Sequence, residues 1–302
     1  MSTGEALDAL VTERVDPRYA TLDEASVVEL AALMNDADQS VPAAIGAAMG
    51  SIVPAIEAIT ARLAQGGRLR YVGAGTAGRM GVLDASECPP TFGTPPDLVR
   101  GIIAGGARAI TQAIEGAEDD LDAGTRAIGD DAIGPLDAVV GVAASGRTPF
   151  VIGALREARA RGALTVALSC NTDAPISHEA DLAIEVPVGA EVLAGSTRLK
   201  AGTAQKLVLN MISTIAMIRL GKTWGNLMVD LRATNEKLRE RAIRIVQQVT
   251  GSTREVAVEA LRAADWEVKP AALMVGRGLS VTDARARLAA EPRLRAALEE
   301  AS

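Results

Sequence analysis

The sequence has few aromatic residues, few cysteines and no excess of basic charge. Only six of its 302 residues are Trp, Tyr or Phe, so Ala, Val, Leu and Ile must fill the core, which suits helices packed on a sheet. Its two cysteines, Cys88 and Cys170, lack CxxC spacing and are too few for a disulfide framework or a zinc site. The formal net charge of −7 argues against a nucleic-acid partner, because such binding needs a basic surface.

The sequence also lacks the marks of membrane insertion and export. It has no uncharged apolar run of about eighteen residues, and no early basic patch followed by an apolar stretch. We therefore expect no membrane partner, a cytoplasmic location and reduced thiols.

Short apolar runs rich in β-branched residues alternate with patterns of helical period. The five runs are 69–75, 98–106, 136–146, 163–170 and 182–189, and the most regular helical patterns are 107–127, 149–161 and 198–219. Strands that are apolar throughout and separated by helices indicate a parallel sheet covered on both faces. The fold class predicted is α/β, with a doubly wound five-stranded parallel sheet.

The flanking sequence predicts helices at both ends of this α/β domain. A helix is expected to start at Thr234 with Gly251 just past its end, and short helices follow, each opened by a capping residue or a proline. The predicted division is an N-terminal helical segment at 1–55, an α/β domain at 56–235 and a small C-terminal helical domain at 236–302.

A glycine-rich turn follows the first predicted strand, in "RYVGAGTAGRMGVLDASECPP" (70–90). Gly73, Gly75 and Gly78 have the G-x-G-x-x-G spacing of a dinucleotide site, and a helix starting near Thr76 would offer free N–H groups to an anion. NAD binding also needs an acid near the end of the next strand, and "GIIAGGARA" has none there. The turn therefore favours a phosphate over NAD, and no cofactor is expected.

Two further hydroxyl-rich loops resemble this turn. The loop after the third strand contains Ser145, Gly146, Arg147 and Thr148, and "AGSTRLKAGTAQK" occupies 194–206. Three such loops suit a compact phosphate monoester better than a long dinucleotide. The alternative is that Ser145 and Thr148 only cap a helix.

Longer stretches in this order resemble the N-acetylmuramic acid 6-phosphate etherases, which carry a sugar isomerase (SIS-type) domain. They are "GAGTAGRMGVLDASECPPTFGTPP", "GIIAGG", "EGAEDD", "AASGRTPFVIGAL", "EVLAGSTRLKAGTAQKLVLNMIST" and "NLMVDLRATNEKLRERA", from roughly residue 70 to 242. One departure is Ala77, where the family usually has serine. The resemblance implies an SIS-type fold, a homodimer, and site contacts from Ser196 and Lys200. Gly75 and Thr76 are the candidate phosphate contacts of the glycine turn.

The resemblance also implies a reaction: removal of D-lactate from N-acetylmuramic acid 6-phosphate to give N-acetylglucosamine 6-phosphate, in recycling of peptidoglycan amino sugars. The C3 ether is β to the C1 aldehyde of the open-chain sugar, so a base can remove the C2 proton and an acid can protonate the departing oxygen. Water then adds at C3. This chemistry needs two carboxyl groups in opposite protonation states, and no metal or nicotinamide.

Two glutamates are the candidates for this pair. Glu87 precedes Cys88-Pro89-Pro90, where a helix is expected to stop. Glu118 falls at the border of an apolar stripe in the predicted helix 107–127, while Glu115 lies further towards solvent. Glu87 could instead be a solvated acid at a helix end. The resemblance supports the pair, with Glu118 as base and Glu87 as acid.

Other residues and functions are weaker candidates. His178, the only histidine, lies in a polar turn, and Cys88 has no neighbouring histidine to activate it. Arg79, Arg147 and the basic residues of 194–206 can face either solvent or substrate. The alternative functions are an aldose–ketose sugar-phosphate isomerase and a non-catalytic sugar-phosphate sensor or regulator.

Overall fold

The computed structural model describes residues 10–231, 233 and 235–299, which form two compact units. The first unit comprises 10–86 and Asp97–Ser213, and the second comprises Glu87–Pro96 and the described residues from Thr214 onward. The three-part division predicted at residues 55 and 235 stays a prediction, because these units follow spatial proximity and not chain order.

The first unit contains a five-stranded parallel sheet. Its strands are β1 (Leu69–Gly73), β2 (Val99–Ile103), β3 (Ala138–Ala143), β4 (Leu164–Ser169) and β5 (Leu182–Glu185). Their order is β2-β1-β3-β4-β5 and every neighbouring pair is parallel. Each strand lies inside one of the five predicted apolar runs, so the predicted α/β fold class is confirmed.

Helices cover the sheet because its central strands are apolar on both sides. Every residue of β1, β3 and β4 is buried. The helices, in chain order, are α1 (Val27–Asp38), α2 (Ser40–Ala47), α3 (Met49–Ala64), α4 (Gly75–Phe92), α5 (Leu121–Asp130), α6 (Pro149–Ala160), α7 (Pro175–His178) and α8 (Lys200–Arg219). Helices α4 and α8 each carry the chain from the first unit into the second.

The amino ends of the strands are held by buried charge. Arg70 is fully buried in β1, and its guanidinium donates to the carboxylates of Asp97 and Asp131. Arg68 donates through its backbone N–H and its guanidinium to Asp137, with N–O distances of 2.8 Å for both Arg68 N–Oδ1 and Nη2–Oδ2. These ion pairs lie opposite the strand ends at which ligands bind in parallel sheets.

The second unit is mainly helical. It contains the two-residue strands β6 (Thr223–Trp224) and β7 (Leu227–Met228), then α9 (Glu236–Thr250), α10 (Arg254–Ala263), α11 (Val268–Arg277), α12 (Val281–Ala290) and α13 (Leu294–Glu299). Side chains of Asn235, Thr253 and Ser280 cap three of these helices, and Gly251 ends α9 in the left-handed region as predicted. The start predicted at Thr234 lies outside the described residues.

Two predicted helix boundaries are wrong. The helix expected over 107–127 forms only from Leu121 onward, as α5, because Gly105 and Gly116 adopt left-handed φ values; a short 3-10 helix, Gly106–Ile110, precedes it. Asp120 starts α5 by accepting a hydrogen bond from the N–H of Ala123. Glu118 therefore lies in a turn and not at the border of a helical stripe.

The second wrong boundary concerns α4, which was expected to stop before Cys88-Pro89-Pro90. It continues through both prolines to Phe92. Each proline lacks an N–H and so removes one helical hydrogen bond, yet the helix ends only after both, where the N–H of Gly93, in the left-handed region, donates to the carbonyl of Pro89. Glu87 thus lies within the helix.

In the part of the chain that is described, no single helix is long and apolar enough to cross a bilayer. The bent pair Val27–Ala47 and Met49–Ala64 would pass that test of length and composition only if its two helices were counted together.

Candidate functional site

The glycine turn lies at the carboxyl end of β1 and opens α4. A Cβ at Gly73 would lie 2.7 Å from the backbone nitrogen of Gly78, and one at Gly78 would lie 2.6 Å from Cγ1 of Ile103. Gly75 has φ of +52° and is exposed. Two of the three glycines therefore serve close helix–strand packing, and the third provides the backbone turn that opens the first α4 N–H groups to an anion.

Thr76 and Ala77 occupy the first turn of α4. Thr76 is half-buried, and a Cβ at Gly202 in α8 would lie 3.3 Å from its Cγ2. Ala77 is buried and carries no hydroxyl. The glycine at position 202 thus leaves room for the Thr76 side chain where α8 passes the glycine turn.

The loop after β3 presents two hydroxyls. The Oγ of Ser145 accepts from the N–H of Arg147 at 3.3 Å. Gly146 has a left-handed φ of +72°, and a Cβ at this position would clash with the Cβ of Ala174. Thr148 is the N-cap residue of α6, but its side chain makes no capping hydrogen bond. The Thr148 hydroxyl therefore does not cap α6, which was the alternative to a role in binding phosphate.

Glu118 is fixed beside this same loop. Its carbonyl accepts from the N–H of Phe150, in the first turn of α6, at 3.0 Å. Its side chain is exposed. The structure therefore brings the predicted base next to the Ser145–Thr148 loop through the backbone, by a route that the sequence pattern did not indicate.

Lys200 begins α8 and is buried, with Glu191 beside it. The Nζ of Lys200 donates to the carbonyl of Val188 at 2.8 Å, and the Glu191 carboxylate accepts from the backbone N–H groups of Lys200 and Ala201, both at 2.9 Å. Burial lowers the pKa of Lys200, with the charge of Glu191 opposing the shift, and burial raises the pKa of Glu191. Ser196, five residues after Glu191, is half-buried. The substrate contacts predicted for Ser196 and Lys200 stay predictions.

Two relatives that match nearly the full length of the chain identify its family. The chain is 55% identical to an N-acetylmuramic acid 6-phosphate etherase of Streptomyces avermitilis over 98% of its own length and 95% of that protein. It is 54% identical to one of Yersinia pestis, over 93% and 95% of the two chains. This chain belongs to the N-acetylmuramic acid 6-phosphate etherase family. The resemblance inferred from the sequence is confirmed.

Domain families and a solved structure agree with the fold of this etherase family member. Residues 51–159 match the N-terminal SIS domain of glucokinase regulatory protein, 123–215 match the SIS domain, and 225–269 match the C-terminal lid domain of glucokinase regulatory protein. A phosphoheptose isomerase from Francisella tularensis superposes with a TM-score of 0.51 at 17% identity, covering 64% of this chain and 99% of that one. At that identity the likeness concerns the fold alone.

Asn171 follows β4 at the carboxyl edge of the sheet and is not among the residues singled out from the sequence. Its Oδ1 accepts from the N–H of Val11 at 2.7 Å, and its Nδ2 donates to Thr12 Oγ1 at 3.0 Å and to the carbonyl of Ala144 at 3.1 Å. The carbonyl of Thr12 in turn accepts from the N–H of Gly195. Asn171 thus joins the N-terminal segment to the loops after β3 and β4. Its position just after a buried strand was the available signal.

Gln205 of α8 was also missed. It is 1% exposed, and neither of its side-chain amide atoms has a hydrogen-bond partner among the described residues. A glutamine in a helix is usually exposed, so this burial could not be predicted from the residue type and its position.

The remaining candidates have ordinary surroundings. Arg79 donates to the carbonyls of Ala109, Ile110 and Gln112, so it holds the loop after β2. His178 is exposed and pairs with Asp173 at 2.9 Å. The described residues include no cluster of three or more His, Cys, Asp or Glu side chains that could hold a metal.

Both cysteines are buried. Burial raises the pKa of the Cys170 thiol to about 12, so this thiol is not a nucleophile near neutral pH. Cys88 adjoins Glu87 in α4.

Glu87 is exposed and belongs to the second unit, whereas Glu118 belongs to the first.

Proposed function

We propose that this chain cleaves the C3 lactyl ether of N-acetylmuramic acid 6-phosphate, giving N-acetylglucosamine 6-phosphate and D-lactate. It would then be a carbon–oxygen lyase of peptidoglycan amino-sugar recycling. The observation that carries this proposal is identity of 54–55% to proteins named for that etherase over nearly the whole chain.

In this proposal the phosphate binds at the carboxyl edge of the sheet. The first turn of α4, at Gly75 and Thr76, offers backbone N–H groups, and the loop from Ser145 to Thr148 offers two hydroxyls and the Arg147 guanidinium. Support comes from the Thr148 hydroxyl, which makes no capping hydrogen bond to α6, and from the left-handed glycines that open both turns. Ser196 and Lys200 complete the proposed set.

Glu118 and Glu87 carry the proposed chemistry. Glu118 removes the C2 proton of the open-chain sugar, and the electron pair is delocalised onto the C1 aldehyde. Glu87 donates a proton to the lactyl oxygen as the C3–O bond breaks, which leaves a double bond between C2 and C3. Water then adds at C3 and a proton returns to C2, so the two glutamates exchange roles. Both side chains are exposed and so accessible to a ligand.

The proposal includes a cytoplasmic homodimer. The resemblance implies both properties, and a pair of strongly exposed valines, Val27 at 82% and Val28 at 80%, offers apolar surface for a second copy.

The first test is incubation of the purified protein with N-acetylmuramic acid 6-phosphate in metal-free ¹⁸O water, followed by mass spectrometry. We expect D-lactate with unlabelled oxygen and N-acetylglucosamine 6-phosphate carrying one ¹⁸O at C3. Tight binding without turnover would instead identify a sensor, and a ketose product without lactate would identify an isomerase.

The second test replaces the two glutamates one at a time. Glu87→Gln and Glu118→Gln should each lower turnover about a hundredfold or more, because general acid–base groups contribute factors of this size. Glu115→Gln, an exposed acid three residues before Glu118, is the matched control and should keep full turnover. Near-normal turnover in either of the first two variants would remove that residue from the proposed pair.

A further inference from the structure

A buried carboxylate lies in α4 one turn before Glu87. Asp84 is only 5% exposed, and its Oδ1 accepts from Asn210 Nδ2 at 2.6 Å and from Ser213 Oγ at 3.0 Å. The hydroxyl of Tyr71 also favours the charged form of this carboxylate. Two hydrogen-bond donors from one helix and a phenol from a strand therefore act on a single acid.

These contacts join a strand and two helices inside the first unit. Tyr71 belongs to β1, Asp84 to α4, and Asn210 and Ser213 to α8. Helix α4 packs closely on β1 where Gly81 faces Tyr71. A Cβ at Gly81 would lie only 2.7 Å from the Cβ of Tyr71. Asp84 and Ser213 lie in the last turns of α4 and α8 that belong to the first unit.

An acid at this position is costly for the fold. Burial raises the pKa of Asp84, and the hydrogen bonds from Asn210, Tyr71 and Ser213 only partly offset that effect. A buried charged group often contributes no more to stability than an apolar side chain of similar size. Stability alone is thus a weak reason for an aspartate here, whereas a carboxylate with two directed hydrogen bonds to one helix fixes the orientation of α4 against α8.

We propose that Asp84 is a positioning residue for Glu87. The contacts of Asp84 fix the rotation of α4 about its axis and its position along that axis; they involve Tyr71, Asn210 and Ser213. Glu87 lies three residues after Asp84, in the next turn of the same helix. Asp84 itself does not touch the substrate. This inference rests on the proposed function, in which Glu87 acts as acid.

The consequence is a specific loss of turnover when the cluster is broken. A displacement of about 1 Å in a catalytic group can cost on the order of a hundredfold in rate. Asp84→Asn replaces one acceptor oxygen by an amide that faces the donor amide of Asn210. We expect kcat to fall at least tenfold, with KM for N-acetylmuramic acid 6-phosphate changed by less than about threefold. The reason is that Gly75 and Thr76 lie more than two helical turns before Asp84 in α4, and the Ser145–Thr148 loop belongs to another segment.

The matched control and the rescue separate positioning from general damage. Ser86→Ala alters an exposed residue of the same helix and should leave kcat unchanged. The double variant Asp84→Asn with Asn210→Asp exchanges the carboxylate and the amide, so it should regain most of the lost kcat. Ser213→Ala removes one donor only and should fold even if Asp84→Asn does not, with a smaller fall in kcat.

Amide hydrogen exchange gives a readout that does not depend on the reaction. In Asp84→Asn, exchange over residues 85–92 should be faster than in the unaltered protein, with β3 and β4 unaffected. Unchanged kcat in both single variants, or a double variant no better than Asp84→Asn, would overturn the inference. If the unaltered protein releases no lactate, the proposed function fails, and unchanged exchange over 85–92 would separately overturn the positioning role.

Discussion

At the scale of single residues, Asp137 shows how a buried acid stabilises the amino ends of the strands. Its carboxylate accepts from the backbone N–H of Arg68 at 2.8 Å, from the Arg68 guanidinium and from the N–H of Gly134 at 2.9 Å. Burial alone would raise its pKa, but the hydrogen bonds and charge of Arg68 prevail, and the pKa lies below the usual value of 3.8.

This lowered pKa predicts a pH-dependent effect of Asp137→Asn. The unfolded chain binds a proton at Asp137 more readily than the folded one, so the contribution to stability is fully present above about pH 4 and is lost as the pH falls through the folded pKa. Near pH 7 we expect the variant to lose about 2 kcal/mol in free energy of unfolding, the usual size for hydrogen bonds to a charged group. Urea unfolding from pH 7 down to pH 3 measures this difference.

Asp36→Asn is the control for this series, since Asp36 is an exposed acid in α1. Its free energy of unfolding should stay within about 0.5 kcal/mol of the unaltered protein at each pH. A difference for Asp137→Asn that is equal at pH 7 and pH 3 would contradict the charge-based explanation.

At the scale of elements, strands were predicted better than the segments between them. The three central strands, β1, β3 and β4, are short runs buried at every position, and such a pattern depends only on burial on both faces. The start predicted for the helix at 107–127 is wrong for a different reason, since that helix begins only at Leu121. Its apolar spacing was helical, but Gly105 and Gly116 take left-handed φ values, and spacing carries no information on φ.

The same limit applies to α4. Two adjacent prolines are a strong stop signal, yet the helix continues through both of them to Phe92. Sequence patterns weigh the local cost of a proline and not the tertiary contacts that can offset it. Glu87 was therefore placed at a helix end when it lies within the last turns of a helix.

At the scale of the whole molecule, the candidate site depends on contacts between residues far apart in the chain. The Asn171 hydrogen bonds to Val11 and Thr12 join positions about 160 residues apart. The carbonyl of Glu118 meets Phe150 across the first turn of α6. The sequence located the loops at strand ends, because topology requires it, but it could not locate these long-range partners, which depend on how the loops fold over the sheet.

The exposed valines at the start of α1 carry the last prediction, on the proposed homodimer. Val27 and Val28 are 82% and 80% exposed, and together they form an apolar surface at the start of α1. Ser26 and Glu29 on either side of them form a capping box that stabilises the start of the helix. Sedimentation velocity at micromolar concentration should give a mass of two chains for the unaltered protein. The Val27→Asp, Val28→Asp double variant should give a mass of one chain, because charge placed in an apolar interface is left desolvated and unpaired.

The helix itself should tolerate these two substitutions, since acidic residues in the first turn interact favourably with the helix dipole. A circular-dichroism melt checks that the fold is retained. Val15→Asp, at a valine that is 74% exposed outside any helix, should leave the mass at two chains. If the Val27→Asp, Val28→Asp variant remains a dimer, the two copies meet through another surface, and if the unaltered protein is a monomer at these concentrations, the homodimer proposal fails altogether.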